Sequence, residues 1–425
     1  MQLPRRNPWP LLTVRGKTFA ILGGLLLVAG IAFGQRDVLW FGLFLVILPL
    51  AALLVVGRAR LRLACERRVS PPEAVVGDRL TGELVVTKSG ALPTGLLQFE
   101  DSVPRALGRP PRFTVHRFAG KWRREITYPL AGLMRGKYRT GPLTVRATDP
   151  FGLVKLDRRF SATSDVMVTP RIVPLPIMRN AVGSGASGEA SPQKVGVVGQ
   201  DDVLVREYRS GDDVRRIHWR STARRGEMMV RREEQAWDPA ATVILDSRAA
   251  SHAGKGRTGS FEWAVSAAAS VALHFVDAGF RVDLFDADGG MVASDRLANA
   301  TVTRQQVVNA MTEVQLSERS TLARTVDHAL MAQRGQLMVA VTGRLTPGDV
   351  ELLLNAQRNR ARCFALVVDV DTFTARSERS TAEEYDDHRT ALDLLRGHGW
   401  RVVEASQGAE VADAWADLDR MGEFV

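Results

Sequence analysis

The sequence predicts a membrane-anchored α+β multidomain protein: an N-terminal two-helix transmembrane hairpin, a β-sandwich and a C-terminal α/β domain of Rossmann-like type. Three observations carry this expectation. Two apolar runs stand near the N-terminus, short alternating runs broken by Gly, Pro and Asp extend from Leu61 to Leu175, and apolar strands alternate with helical segments from Ala241 onward. With 425 residues and 45% apolar content, the chain can form two ordinary folded units plus additional segments. The expected boundaries are 1–60 for the hairpin, 61–178 for the sandwich, 179–237 for a linker with an arginine-rich motif, and 238–425 for the α/β domain.

Thr18 to Phe33 is apolar and glycine-bearing but short for a span, whereas Val38 to Val56 is long enough and carries no charge. Gln35, Arg36 and Asp37 leave only a tight connection between them. The two segments therefore read as a helical pair, in which Pro49 is tolerable if the first helix packs alongside. Arg5, Arg6, Arg15 and Lys17 precede the first segment, and Arg58, Arg60, Arg62, Arg67 and Arg68 follow the second. Positive flanks stay on the cytoplasmic side, so a multi-pass cell-membrane protein with cytoplasmic soluble domains is expected. If the first segment were a signal sequence, the second would stop transfer and the rest of the chain would still lie inside.

The formal net charge of +10 is unevenly placed: from Asp238 to the end 27 acidic residues face 19 basic ones, so the excess of positive charge lies entirely in the first half. Membrane lipid is the expected partner of that basic half. Cys65 and Cys363 fall in different expected domains, which argues against a structural disulfide, and Cys363 sits in an apolar strand as a core residue.

In the second segment, strands are expected at Leu80–Val86, Leu96–Glu100, Arg123–Leu130, Leu143–Ala147 and Val166–Thr169, a spacing that suits a small antiparallel sandwich. Arg135 to Pro142 and Asp149 to Leu153 carry turn chemistry at the two ends of one strand. Asn180 to Lys194, rich in Gly and Ser, reads as a loop.

The last segment begins with a strand at Thr242–Leu245 and a helix from Phe261 to Ala278 that Gly279 ends. Strands then fall at Arg281–Phe285, Leu337–Val341, Phe364–Val370 and Arg401–Glu404, with helices near Arg304, from Pro347 and near Thr390. Thr346 before Pro347, with Asp349 in the first turn, marks a helix start. Such alternation predicts a parallel sheet covered by helices on both faces.

Between Asp201 and Glu234 nine arginines are interleaved with eight acidic residues. The segment from Arg206 to Arg224 is expected to contain a short helix capped by Asp212 or Asp213, with Gly211 in the turn before it and Gly226 as a left-handed stop. Arg215, Arg216 and Arg224 have the forked geometry for carboxylate pairing, and Tyr208 and Trp219 offer faces for guanidinium stacking. Two readings are open: an ion-pair network fixing a linker, or a protein-docking surface. Nucleic acid is not an expected partner, because the interleaved acids would repel phosphate.

Arg135-Gly-Lys-Tyr138, Asp149-Pro-Phe-Gly-Leu153 and Gly211-Asp-Asp-Val-Arg-Arg-Ile-His-Trp219 together make the chain resemble the bacterial domain-of-unknown-function 58 family over nearly its whole length. The resemblance implies a von Willebrand factor A-like terminal domain, association with a MoxR-type AAA+ ATPase and an assembly or adaptor role. Domains of that fold hold a metal through an Asp-x-Ser-x-Ser run and separate Thr and Asp positions. Here the run reads Asp246-Ser247-Arg248-Ala249-Ala250, and the strand near Thr342 ends in Arg344. Asp246, Ser247 and Thr342 thus remain as a degenerate set with Arg248 bringing the wrong charge, and neither Mg²⁺ nor another cofactor is expected.

Phosphate-loop, zinc-protease, Cys-x-x-Cys and nucleophile-elbow signatures do not occur. Asp286-Ala-Asp288-Gly-Gly reads as a tight turn, Glu383 to Asp387 as a solvated face or loop, and His218 as a general base only if a substrate could be named. A non-enzymatic, membrane-anchored interaction or scaffold protein is the expectation. The alternative is a metal-dependent hydrolase or nuclease using Asp246, Asp369 and Asp371.

Overall fold

The computed structural model describes residues 9–58, 63–89, 96–115, 120–149, 151–177, 205–208, 217–231, 240–293, 299–332, 337–357 and 362–420. They form two compact units, one of Met1–Arg171 with Lys255–Arg257 and Val308–Gln315, the other of Ile172–Gly254, Thr258–Val307 and Leu316–Val425.

The first unit opens with α1 (Val14–Phe33) and α2 (Arg36–Arg58). Thr13 caps α1 by accepting the Gly16 N–H at 3.2 Å, so the helix starts before the expected Thr18, and Gly34 ends it in the left-handed region at φ 65°. Glycines let the two backbones approach: a Cβ at Gly23 would stand 2.9 Å from the Gly42 carbonyl, and one at Gly30 2.9 Å from the Leu39 nitrogen. Leu25, Val28, Ile31, Trp40, Phe44 and Leu50 face outward. Both helices contain windows of 19 residues, with mean hydropathy 1.6 and 2.3, long and apolar enough to cross a membrane.

The ten strands that follow are β1 (Leu63–Ser70), β2 (Glu73–Val75), β3 (Arg79–Lys88), β4 (Leu96–Asp101), β5 (Arg112–Val115), β6 (Trp122–Ala131), β7 (Gly136–Thr140), β8 (Leu143–Thr148), β9 (Lys155–Phe160) and β10 (Ser164–Thr169). They make antiparallel sheets of order β1-β3-β6 and β5-β4-β8-β9, and a third, β2-β10-β7, whose β2–β10 pair is parallel. Period-two alternation sends Leu80, Leu84 and Val86 of β3 and Leu97, Phe99, Leu143 and Val145 of β4 and β8 into one shared core. Inside it Asp101 receives two guanidinium N–H groups of Arg67 and, at 2.5 Å, the Tyr128 hydroxyl. Gly82 lies under the Tyr128 ring, where a Cβ would come within 2.3 Å.

The loop after β8 is a built corner. Asp149, buried, accepts the Phe151 and Val154 N–H groups at 2.9 and 2.6 Å. Its far side joins the base of the hairpin: Thr13 donates its N–H to the Leu153 carbonyl (2.9 Å) and its hydroxyl to Gly152 (2.6 Å). Leu153, Val154 and Ala52 share an apolar cluster with Phe19, Leu48 and Leu53.

The second unit carries β11 (Val205–Glu207), α3 (Trp219–Arg225) and β12 (Met229–Arg231), then β13 (Ala240–Leu245), α4 (Ser260–Asp277), β14 (Arg281–Asp286) and β15 (Gly289–Ala293). After α5 (Ala300–Glu313), whose residues from Val308 on count with the first unit, come α6 (Ala323–Ala332), β16 (Leu337–Thr342), α7 (Pro347–Gln357), β17 (Arg362–Val368), α8 (Ala382–Gly397), β18 (Arg401–Ala405) and α9 (Val411–Arg420). The large sheet has the order β15-β14-β13-β16-β17-β18. It departs from the all-parallel expectation at one edge, where β15 returns antiparallel to β14 through the Asp286–Gly289 turn. Apolar residues of α6, α7 and α8 share a core with one face of the sheet. On α4, small residues such as Ala264, Ala268 and Ala272 are fully buried, and Phe275 meets Trp415 of α9 edge to face at 5.9 Å. Cys65 and Cys363 are both free thiols, and Cys363 is buried in β17.

Candidate functional site

The chain leaves β13 outward to β14 and β15 and returns to β16 on the other side, so the strand order reverses between β13 and β16. In open α/β sheets the crevice beyond the carboxyl ends at such a point is where ligands bind. Asp246 stands there, its N–H on the Val341 carbonyl at 2.8 Å and its side chain fully buried. The expected departure at Arg248 is what fills the place. Its Nε and Nη2 donate to the two Asp246 oxygens at 2.9 and 2.8 Å, and its Nη1 donates to Asp349 Oδ1 at 2.7 Å and to the Ser320 carbonyl at 3.2 Å. Asp349 is held in turn by the Thr346 N–H and hydroxyl on its other oxygen, 3.0 and 2.9 Å away.

The ion triad is closed to water, with side-chain exposures of 5% for Arg248, 0% for Asp246 and 5% for Asp349. Burial works against the charged guanidinium, but the hydrogen bonds and charges of Asp246 and Asp349 outweigh it and hold Arg248 above its ordinary pKa. Ser247 accepts the Ala287 N–H at 3.1 Å through its hydroxyl. Thr342 is fully buried, and its hydroxyl lacks a hydrogen-bond partner among the described residues. His252 closes the floor with Nε2 2.6 Å from the Asp246 carbonyl and Nδ1 3.1 Å from Ser260 Oγ, and burial lowers its pKa. A divalent cation needs several free oxygens. Here both carboxylates are taken by one guanidinium, so the residues present do not fit Mg²⁺.

A second polar cleft, about 260 Å³, opens beyond the ends of β17 and β18 and is lined by Arg344, Asp369, Asp371, His388 and Glu404. Asp371 accepts the Ser380 N–H and hydroxyl at 2.9 and 2.7 Å; burial raises its pKa, but these hydrogen bonds and nearby arginines outweigh that and leave it below the usual range. The Leu345 N–H donates to His388 Nδ1 at 3.1 Å, leaving Nε2 toward Glu404 at 3.9 Å, and burial lowers the pKa of this histidine too. Asp246 and Asp369 end strands β13 and β17, which are separated by β16. Two strand spacings are about 10 Å, too far for both to ligate one ion. The structure therefore does not unite Asp246, Asp369 and Asp371, and among the described residues no group of three acidic, His or Cys side chains could hold a metal.

In the arginine-rich motif, β11 and β12 form a two-stranded ladder, and Ile217 bridges to Val230. The helix starts later than expected. Its cap is His218, whose Nδ1 accepts the Ser221 N–H at 3.3 Å, while Gly226 does supply the left-handed stop at φ 76°. Through that capping bond His218 acts as a structural residue. Tyr208 donates its N–H to Met228 at 2.8 Å, Trp219 is 70% exposed, and Arg224 is exposed in the last turn. Among the described residues no guanidinium stacks on Tyr208 or Trp219, and Arg224 has no carboxylate partner. Gly211, Asp212, Asp213, Arg215, Arg216 and the side chain of Arg206 lie outside the described residues.

Sequence reasoning missed Asp349 as a member of the buried triad, because its capping role with Thr346 already accounted for it. The clue was Arg248 itself, a guanidinium too close to a strand-end carboxylate to be left unpaired.

Among solved structures, the chain is similar to the CARDB domain of the PF1109 protein from Pyrococcus furiosus (20% identity, 25% of this chain, 91% of that one, TM-score 0.19). It is also similar to the alkylpurine DNA glycosylase AlkC of Pseudomonas fluorescens (11%, 32% and 39%, TM-score 0.18). A third likeness is to a β-glucosidase from Listeria innocua (16%, 25% and 16%, TM-score 0.15). At these TM-scores none of the three carries fold or function to this chain. No curated protein matches the chain. Residues 204–373, from β11 through the strand-end triad to the loop after β17, match the family described as "Protein of unknown function DUF58", which supports the resemblance that the motifs carry over this part of the chain.

Proposed function

We propose that this protein is a membrane-anchored interaction scaffold whose α/β domain has a von Willebrand factor A-like arrangement and whose partner is a MoxR-type AAA+ ATPase. The observation that carries the reading is α3: Trp219 is 70% exposed on a helix that also presents Arg220, Arg224 and Arg225 to solvent. Tryptophan and arginine are the residues that most often anchor protein interfaces. The strand order with its antiparallel edge β15 supports the domain assignment. Arg248 between Asp246 and Asp349 supports binding without metal chemistry, since the guanidinium supplies internally the positive charge that a metal would bring. Two apolar helices with glycine-mediated contact and outward-facing Leu, Ile, Val, Phe and Trp support anchoring in a cell membrane. The partner is proposed from the family resemblance, and work on other molecules would be done by its ATP cycle.

Crosslinking in intact membranes followed by purification of the full chain tests this. The wild-type chain is expected to retain an AAA+ ATPase, and Trp219→Ala combined with Arg224→Glu to lose it while remaining folded. Recovery of no ATPase with the wild-type chain refutes the reading.

A further inference from the structure

We propose that the corner formed by Asp149 and Phe151–Leu153 is a lipid-contact site, with the Phe151 ring seated at the boundary between headgroups and acyl chains. The inference rests on the hairpin being a membrane anchor and adds the depth at which the β-sandwich is docked. α1 has 20 residues, and at about 1.5 Å per residue it is about 30 Å long. That equals the thickness of a bilayer's hydrocarbon core, about 30 Å. The first turn of α1 therefore stands at the membrane surface, and Phe19 lies about one turn inside it.

The corner after β8 reaches that depth. Leu153 and Val154 pack with Phe19, Leu48 and Leu53, and the Leu153 carbonyl lies so close to α1 that a Cβ at Gly16 would be 2.2 Å from it. Two residues earlier, Phe151 is 63% exposed on a loop pinned by both oxygens of Asp149. A large apolar ring held rigidly beside a lipid-facing helix would have its exposed face covered by lipid. Arg15, exposed in the same first turn, suits headgroup phosphate. Phe151 thus stands next to Gly152 and Leu153, whose carbonyls bond to Thr13 at the start of α1, and this adjacency to the anchor makes lipid, and not a protein, the occupant.

The test places a photoreactive benzoyl-phenylalanine at position 151 of the full chain, reconstituted in phosphatidylcholine and phosphatidylglycerol vesicles, and analyses adducts by mass spectrometry. Position 47, on the outward side of α2, reports the hairpin. Position 102, exposed beyond the opposite end of the β4–β8 pair, reports stray labelling. Lipid adducts at 151 and 47 but not at 102 are expected. Lipid adducts at 47 with protein adducts, or none, at 151 overturn the proposal and leave the anchor standing. Equal lipid labelling at 151 and 102 also overturns it. Absence of lipid adducts at 47 removes the anchor reading, and this proposal with it.

Discussion

Arg248 is the residue on which the strand-end site turns. It neutralises two buried carboxylates, Asp246 in the loop after β13 and Asp349 in the first turn of α7, so its removal leaves both charges buried without a counter-ion. Breaking a buried pair in this way costs about 3–5 kcal/mol. Arg248→Ala should lower unfolding free energy by that order in denaturant titration, and Arg248→Lys should recover only part, because an ammonium cannot fork onto both aspartates. Millimolar Mg²⁺ should raise the melting temperature of the alanine variant and leave the wild type unmoved, as the vacated carboxylates become available to a cation. A wild-type response to Mg²⁺ would contradict the sealed triad. In the sandwich, Asp101 depends on Tyr128 in a similar way. Tyr128→Phe removes a hydrogen bond to a buried charge and should cost about 1.5–3 kcal/mol, with the shape of the core retained.

At the scale of elements, histidines set the acid limit of the α/β domain. Burial lowers the pKa of His252, His274 and His388 from the ordinary 6.5. Each is neutral when folded and takes up a proton on unfolding, so stability is full above about pH 6.5 and declines as pH falls toward the lowered folded values. Urea midpoints should therefore drop between about pH 7 and about pH 5.5, and His252→Gln should make that drop shallower; an unchanged slope would contradict the assignment. The elements that sequence made legible are those whose core face is strongly apolar. Leu80–Val86, Leu143–Ala147, Leu337–Val341 and the helix from Pro347 appear within a few residues of expectation. Among edge strands, β6 and β18 were legible at Arg123–Leu130 and Arg401–Glu404, but β9 and β15 were not. In β9 the run Lys-Leu-Asp-Arg-Arg-Phe offers Leu156 and Phe160 on one face but Arg158 between them, and in β15 two glycines resemble the end of a turn more than a strand. Asp246, directly after β13, and Thr342, the last residue of β16, were put at strand ends by the family resemblance. The part of Asp349 in the triad was not legible, because pairing with Arg248 across 101 residues of sequence leaves no local trace.

For the whole molecule, the proposed anchor makes the side of the membrane on which the chain works the decisive variable. We expect the charge asymmetry of the hairpin to fix it. Arg15 and Lys17 lie in the first turn of α1, at the end that meets the β-strand part of the unit, whereas the tip of the hairpin offers one positive and one negative residue, Arg36 and Asp37 at the start of α2. Positive residues near span ends resist translocation, and acidic residues contribute little, so the prediction is that the base of the hairpin is retained and its tip exported. The Thr13–Leu153 contact ties the β-strand part of the first unit to that same end of the hairpin. Alkaline phosphatase fused after Gly77 or after Val425 should consequently be inactive, and the same reporter inserted after Gly34 should be active. Replacing Arg15 and Lys17 by glutamine should raise activity of the Gly77 fusion by weakening that bias. Active phosphatase after Gly77 in the unaltered chain would invert the orientation and place Trp219 and the strand-end loops where a cytoplasmic ATPase cannot reach them.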